Sequence, residues 1–231
     1  MIALATGITA ATLSASPTLV TITGAAERTI RVSNWGDAAV AVTAAPAGFA
    51  LDRRGRPRVV PRLGSAGTWL ELRPRRLVLG ARRTAAVDVS ARTPADASPG
   101  DHAALVLLTT LARRGATVAV RMQIGVVVIV RVPGRLVHAL ELRGLTTLRR
   151  GGARVLVVAL VNRGNVAERL RRIRVLLQRR GRVLARLYAP AQTVLPHARA
   201  VAELRYRGGA RGWATAVVDV GGLHRVFRLR L

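Results

Sequence analysis

The side chains of this chain that could do chemistry are four histidines, eleven carboxylates and thirty-eight basic residues, every one of the last an arginine. His102, His138, His197 and His224 stand apart. None pairs with another histidine or a carboxylate at the spacing metal ligands need. Cysteine is absent, which excludes thiolate metal sites and a disulfide framework. Glu27 with Asp37, or Glu71 with Asp88, could approach across a sheet, but no surrounding pattern marks a cleft for an acid–base pair. There is no Gly-x-Ser-x-Gly elbow, phosphate loop or dinucleotide fingerprint. Gly151-Gly152-Ala153-Arg154 reads as a turn, because no helix follows it. The residues therefore point to a protein that is not an enzyme and needs neither metal nor cofactor.

What remains is charge and edges. The net charge is +27. Residues 1–134 hold 17 Arg and 7 acids, residues 135–231 hold 21 Arg and 4, so the halves carry +10 and +17. Such a field attracts polyanions: nucleic acid, an anionic wall polymer or anionic lipid. A GC-rich coding sequence also enriches Arg, Ala, Gly, Val and Leu together and depletes Lys, so part of the charge has a compositional origin. One basic cluster, Arg53, Arg54, Arg56 and Arg58, lies in a Gly- and Pro-rich connection over 46–68 and is a candidate anion contact. Nucleic acid is disfavoured. Single-strand binders interleave basic residues with stacking aromatics, and the aromatics here sit mostly at strand starts or turns.

Alternating apolar runs of short length, separated by Gly and Pro turns, predict strands throughout. Ser14–Thr23 reads as an edge strand with Pro17 near its start. Residues 166–177 fit a helix by spacing, but the hairpin pattern favours strands. The longest regular stretch is 117–132, where Val118, Val120, Met122, Ile124, Val126, Val128, Val130 and Val132 are apolar at period two. A strand of that length would span about 50 Å. Gly125 predicts a bend or bulge in it. Two readings follow: the run offers an edge to another chain by β-augmentation, or it is a central strand satisfied within its own sheet. The candidate edge residues are Val118, Val120, Met122, Ile124, Val126 and Val128.

The chain states its plan twice. Ser33-Asn34-Trp35-Gly36-Asp37 matches Val161-Asn162-Arg163-Gly164-Asn165, each between two alternating runs. Leu77-Val78-Leu79-Gly80 matches Thr193-Val194-Leu195-Pro196, and Pro99-Gly100-Asp101-His102 matches Arg211-Gly212-Trp213. Three landmarks in one order, at offsets between 111 and 128 residues, predict two copies of one all-β module. Asn34, Gly36, Pro99, Gly100, Asn162 and Gly164 are read as turn residues, with glycine accepting positive φ. The expectation is an all-β protein of two tandem immunoglobulin-like β-sandwich domains, over 14–133 and 134–231. His102 and Trp213 fall where such folds carry a tyrosine corner, and are read as large residues at strand bases. Residues 1–13 are read as the remnant of a signal or a flexible N-terminus, because Ala3-Leu4-Ala5-Thr6-Gly7 looks like the tail of a cleaved signal. No uncharged apolar run reaches the roughly 20 residues of a membrane helix.

The series Ser16-Pro17-Thr18, Val32-Ser33-Asn34-Trp35-Gly36, Trp69-Leu70-Glu71-Leu72-Arg73-Pro74, Val87-Asp88-Val89, Pro94 to His102 and Val128 to Gly134 resembles the peptidoglycan-binding domain of WxL-interacting cell-surface proteins. That domain is itself similar to pilus-assembly chaperones. Val161 to Asn165 and Thr193 to Pro196 look like the second, host-binding domain of the same proteins. The resemblance spans 14–231 and departs from the pattern at His102, where a tyrosine is expected, and in the missing signal peptide and C-terminal membrane helix. It implies a secreted or cell-envelope adhesion and assembly protein that recognises a protein partner at the cell surface and an anionic wall polymer. The alternative is a pilus-type periplasmic chaperone or fibre subunit using β-strand augmentation, homo-assembly included. A sequence-independent nucleic-acid binder is the second alternative.

Overall fold

The computed structural model describes residues 13–60, 64–111 and 121–231. Its chain divides into two compact units. The first takes most of the chain to Pro133; the second takes Gly134–Leu231 together with Ala50–Arg58 and Pro99–Asp101. The expected N-terminal remnant lies, but for Leu13, outside the described residues.

The first unit contains β1 (Leu13–Ser16), β2 (Leu19–Thr23), β3 (Arg28–Asn34), β4 (Val40–Leu51), β5 (Pro57–Val60), the one-turn α1 (Ser65–Thr68), β6 (Leu70–Arg73), β7 (Arg76–Leu79), β8 (Thr84–Ala91), β9 (Gly100–Thr110) and β10 (Gln123–Val132), with the ends of β4, β5 and β9 grouping with the second unit. One sheet has the order β1-β3-β8-β6; the other runs β2-β10-β9-β4-β5, with β7 also paired to β4. Alternation decides which side chains face inward. Ile30 and Val32 on β3, Val87 and Val89 on β8, Val42 on β4 and Val126, Val128 and Val130 on β10 are buried, with Arg31 and Asp88 between the pairs on β3 and β8. These aliphatics meet in one cluster. Burying each contributes roughly 1.5–3 kcal/mol, so a core poor in aromatics suffices.

The second unit adds β11 (Leu140–Arg150), β12 (Ala153–Asn162), β13 (Glu168–Leu170), β14 (Ile173–Arg179), β15 (Arg182–Ala189), β16 (Gln192–Val194), β17 (Arg199–Tyr206), β18 (Trp213–Val220) and β19 (Leu223–Arg230). A β11-β12-β17 sheet and a β15-β14-β18-β19 sheet share a core of Leu156, Val158, Val175, Leu177, Ala216, Val218 and neighbours. Three hairpins close through two residues at positive φ: Gly151-Gly152, Arg180-Gly181 and Gly221-Gly222. That is the turn whose twist matches paired strands. Both units are all-β sandwiches of immunoglobulin-like type.

Several elements differ from expectation. The single strand expected over 14–23 is split between two sheets, because Pro17 has no N–H with which to continue a ladder. The connection expected over 46–68 is in large part a hairpin: β4 runs on to Leu51 and returns as β5. The apolar alternation predicts an opening strand of the second half over Leu136–Leu142; the strand begins at Leu140 and continues to Arg150. Residues 166–177, by contrast, hold β13 and the start of β14, strands as expected, although two rather than one. Regular pairing in the long run starts at Gln123; residues 112–120, with Val118, Val120 and the expected Arg113-Arg114-Gly115 turn, lie outside the described residues.

Candidate functional site

The duplicated landmarks meet each other in space. Asn34 is 1 % exposed, and its Nδ2 donates to the carbonyls of Ala38 (2.8 Å), Gly80 (3.0 Å) and Leu79 (3.2 Å) while its Oδ1 accepts from Gly36 N–H (3.0 Å). Asn162, fully buried, repeats the pattern with Val166 (2.7 Å), Val194 (3.1 Å) and Gly164 N–H (2.9 Å). The first landmark is thus bonded to the second in each unit. Arg82 and His197, at φ 57° and 56°, occupy equivalent turns. The equivalence places Leu79 opposite Val194, one residue from the alignment read off the sequence. Gly36 and Gly164 do not take positive φ. A side chain on Gly164 would instead collide with the Val137 carbonyl, so close approach explains that glycine.

Pro99, read from the sequence as a turn residue, lies at a bend, and Gly100 opens β9. Gly100 has φ 125°, and a Cβ there would come within 2.5 Å of the Asn165 carbonyl. Asn165 Nδ2 donates to the carbonyls of Pro99 and Arg135, both at 2.9 Å. His102 does more than fill space. Its ring packs on Trp69 at 4.9 Å, and Nε2 donates to the Ser98 carbonyl four residues upstream at 2.8 Å, the bond a tyrosine corner makes. Trp213, its counterpart, is 57 % exposed.

Among the described residues, the N-terminal end of β10 has no strand paired to it on the β2 side. One side of β10 adjoins β9. Thr110 N–H donates to the Met122 carbonyl, and Met122 N–H to Thr110 Oγ1. On the other side β2 pairs in parallel from Val127↔Leu19 to Arg131↔Thr23. The ladder is closed at its start by Val127 N–H on the Thr18 carbonyl. Main-chain groups alternate sides along a strand. Gln123 and Gly125 share the parity of Val127, so their N–H and C=O groups point to the side β2 covers. Among the described residues, β2 does not reach them. Met122 and Ile124, of the opposite parity, are half-buried against the core. A Cβ on Gly125 would come within 2.9 Å of the Leu105 side chain, so the glycine leaves room for that side chain.

This geometry corrects part of the expected site. Val126 and Val128 are fully buried, and Val128 lies opposite Val20 of β2; both are core residues and present nothing to a partner. Met122 and Ile124 flank the open edge. Gln123 was not singled out from the sequence, because its importance comes from where β2 stops.

The basic cluster is also changed by its surroundings. Arg54 binds Glu203 through Nε (3.0 Å) and Nη2 (2.6 Å), and Arg150 joins the same carboxylate at 2.9 Å. Arg56 pairs with Asp52 at 3.0 Å. Asp52 Oδ1 also caps the hairpin tip by accepting from the N–H groups of Arg54 and Arg56. The Arg56 N–H above all holds the Asp52 carboxyl below its ordinary value. Arg54 and Arg56 are therefore each paired with a carboxylate, while Arg53, Arg56 and Arg58 are exposed.

The other titratable groups are dispersed. Among the described residues no three His, Asp or Glu side chains converge on a metal position. Glu71 pairs with Arg92 (2.6 Å) and Arg73, Asp37 with Arg82 (2.7 Å), and Asp88 accepts from Thr29, so the carboxylate pairs considered above go to separate partners. His138 meets Glu168 at 2.8 Å. Asp219 accepts from His224 Nδ1 (2.6 Å) and Arg174 Nη2 (2.7 Å). The His224 bond, then Arg174, lowers the Asp219 pKa from its ordinary 3.8. A depressed carboxylate contributes stability that is fully present above 3.8 and is lost as pH falls through the folded value. Acid titration of unfolding free energy should therefore drop more steeply below pH 3.8 in the parent than in Asp219→Asn. Equal slopes would show that this cluster does not couple to folding.

No protein-family model matches the chain, and no curated protein does. Solved structures do. The CupB2 chaperone of Pseudomonas aeruginosa aligns with TM-score 0.52 and 16 % identity over 94 % of this chain and 100 % of that one. The fold is that of the pilus chaperones. A chain from the Salmonella enterica complex of SafA pilin with the SafB chaperone gives 0.51 and 12 % over 95 % and 96 %. One from the CsuC–CsuE chaperone–subunit pre-assembly complex of Acinetobacter baumannii gives 0.50 and 12 % over 94 % and 98 %. Among the described residues no helix is long and apolar enough to cross a membrane.

Proposed function

We propose that this chain is a non-catalytic, extracytoplasmic assembly protein of the pilus-chaperone type, which holds a protein partner by β-strand augmentation along the N-terminal part of β10. The single observation behind this reading is the end of the β2 ladder at Val127, which leaves Gln123 and Gly125 facing an open edge. An added strand would bond to their N–H and C=O groups. Each such bond contributes about 1 kcal/mol net. Met122 and Ile124, continued at period two by Val120 and Val118, would supply apolar specificity. The fold likeness supports this reading over attachment to a wall polymer, and the modules over 14–133 and 134–231 are its proposed working parts.

Capture of the tagged protein from its native envelope tests it. A discrete protein partner should stay bound in about 1 M salt, where the Debye length shrinks to about 3 Å. Gln123→Pro removes an edge donor while leaving the Met122–Thr110 bonds, and should abolish capture. Arg53→Gln with Arg58→Gln should leave it intact. Sedimentation with wall material and release by salt would favour the wall-polymer reading instead. Capture unchanged by Gln123→Pro would remove β10 from the mechanism.

A further inference from the structure

The second unit gathers arginines from three separate segments around one exposed indole. Arg179 ends β14 and Arg180 lies in the turn after it, Arg211 comes from the approach to β18, and Arg228 from β19; with Trp213 they line an open cavity of about 600 Å³. The cluster is built rather than incidental. Arg179 Nε donates to the Trp213 carbonyl at 3.0 Å, and its Nη2 to the Arg211 carbonyl at 2.6 Å. Arg228 lies 5.0 Å from the Trp213 ring centroid, a cation–π contact that covers one side of the indole. Gly212 and Leu231 exchange main-chain bonds at 3.0 and 2.9 Å, which ties the rim to the last strand.

No carboxylate side chain lines this cavity. The four in residues 135–231 bind elsewhere: Glu141 with Arg143 and Arg163, Glu168 with His138, Glu203 with Arg54 and Arg150, Asp219 with Arg174 and His224. Among the described ion pairs, Arg179, Arg180, Arg211 and Arg228 therefore have no acidic partner, although they sit together. Like charges held this close repel one another unless an anion joins them. Guanidinium groups match tetrahedral oxyanions in pairs of parallel hydrogen bonds.

We infer that this cavity is a binding site for a ligand bearing contiguous phosphate groups, with Arg211, Arg228 and Arg180 contacting the phosphates and Arg179 fixing the rim. The site is distinct from the β10 edge. A planar ring attached to the phosphates would stack on the exposed part of Trp213; a bare phosphate chain would use the arginines alone.

Calorimetric titration of the full chain with inorganic tripolyphosphate tests the site. The expected result is saturable binding at one site per chain, weakened at least about tenfold by Arg211→Gln with Arg228→Gln. Arg149→Gln with Arg205→Gln removes the same charge from exposed positions on the other sheet and should change affinity by less than about twofold. Circular dichroism verifies the fold of both double variants. ATP in place of tripolyphosphate separates the two ligand sources. Tighter binding with quenched Trp213 emission, absent in Trp213→Phe, supports a nucleotide-like ligand; equal affinity supports the phosphate chain. Absence of saturable binding, or equal weakening by the two double variants, overturns the site.

Discussion

Asn162→Ala is expected to lower the stability of the second unit by about 3–5 kcal/mol. The side chain is fully buried and makes three hydrogen bonds, to the carbonyls of Val166 and Val194 and from Gly164 N–H. Alanine leaves all three main-chain groups without their partner. Each buried group so orphaned costs about 1–3 kcal/mol, while a typical domain has only about 5–15 kcal/mol in total. Asn162→Asp sharpens the test. It preserves shape and the acceptor for Gly164, but it has no donor and sets a carboxylate against two carbonyls. It should be at least as damaging. Denaturant titration of both variants beside Asn34→Ala, which orphans the matching groups of the first unit, measures the effect. A loss below about 1 kcal/mol for Asn162→Ala would show that the network is not what joins the two landmarks.

Gly164→Ala is the second large effect. A Cβ at that position runs into the Val137 carbonyl oxygen and comes within 2.9 Å of the Ala139 amide nitrogen. The segment it would displace is held by the same turn. Asn165 N–H donates to the Val137 carbonyl (3.1 Å), Arg163 N–H to the Ala139 carbonyl (2.8 Å), and Val137 N–H to Asn165 Oδ1 (2.7 Å). Backbone cannot swing aside as a flexible side chain can. Overpacking costs about 1–3 kcal/mol, and loss of the three bonds adds to it. For a chain of this size about 3 kcal/mol corresponds to a fall in Tm of roughly 6–12 °C. Gly152→Ala is the control. Its added Cβ meets nothing, so only the strain of positive φ remains (74°). Gly164→Ala should therefore exceed it clearly. Equal shifts would mean that conformation, rather than proximity to Val137, explains the glycine.

These two residues show how far the linear pattern reaches. Period-two alternation placed Ile30, Val32, Val87 and Val89 on one face, and each is buried. Gly151-Gly152 reads as a turn and Gly221-Gly222 as a hairpin turn by local chemistry, and both sit at positive φ. The repeated Asn-x-Gly announced a duplicated module. Its reason was not legible, because the partners of Asn34 and Asn162 are carbonyls 45 and 32 residues away. A turn reading saw only the local half of each network.

The same limit separates the useful part of the long apolar run from the rest. Met122, Ile124, Val126 and Val128 have one pattern in the sequence. Only β2, arriving in parallel at Val127, makes two of them core and leaves the others beside an open edge. Arginine carries the same lesson. Thirty-eight guanidiniums look alike in a string. Folding neutralises Arg54 and Arg56 on Glu203 and Asp52, and collects Arg179, Arg180, Arg211 and Arg228 where no carboxylate side chain reaches. Strand propensity and turn type are local properties, and duplication is a repeat within the linear order itself, so the amino-acid order determined them. Which edge stays unpaired and which charges stay uncompensated depend on strands distant in sequence meeting in a sheet, so the tertiary structure alone decided them.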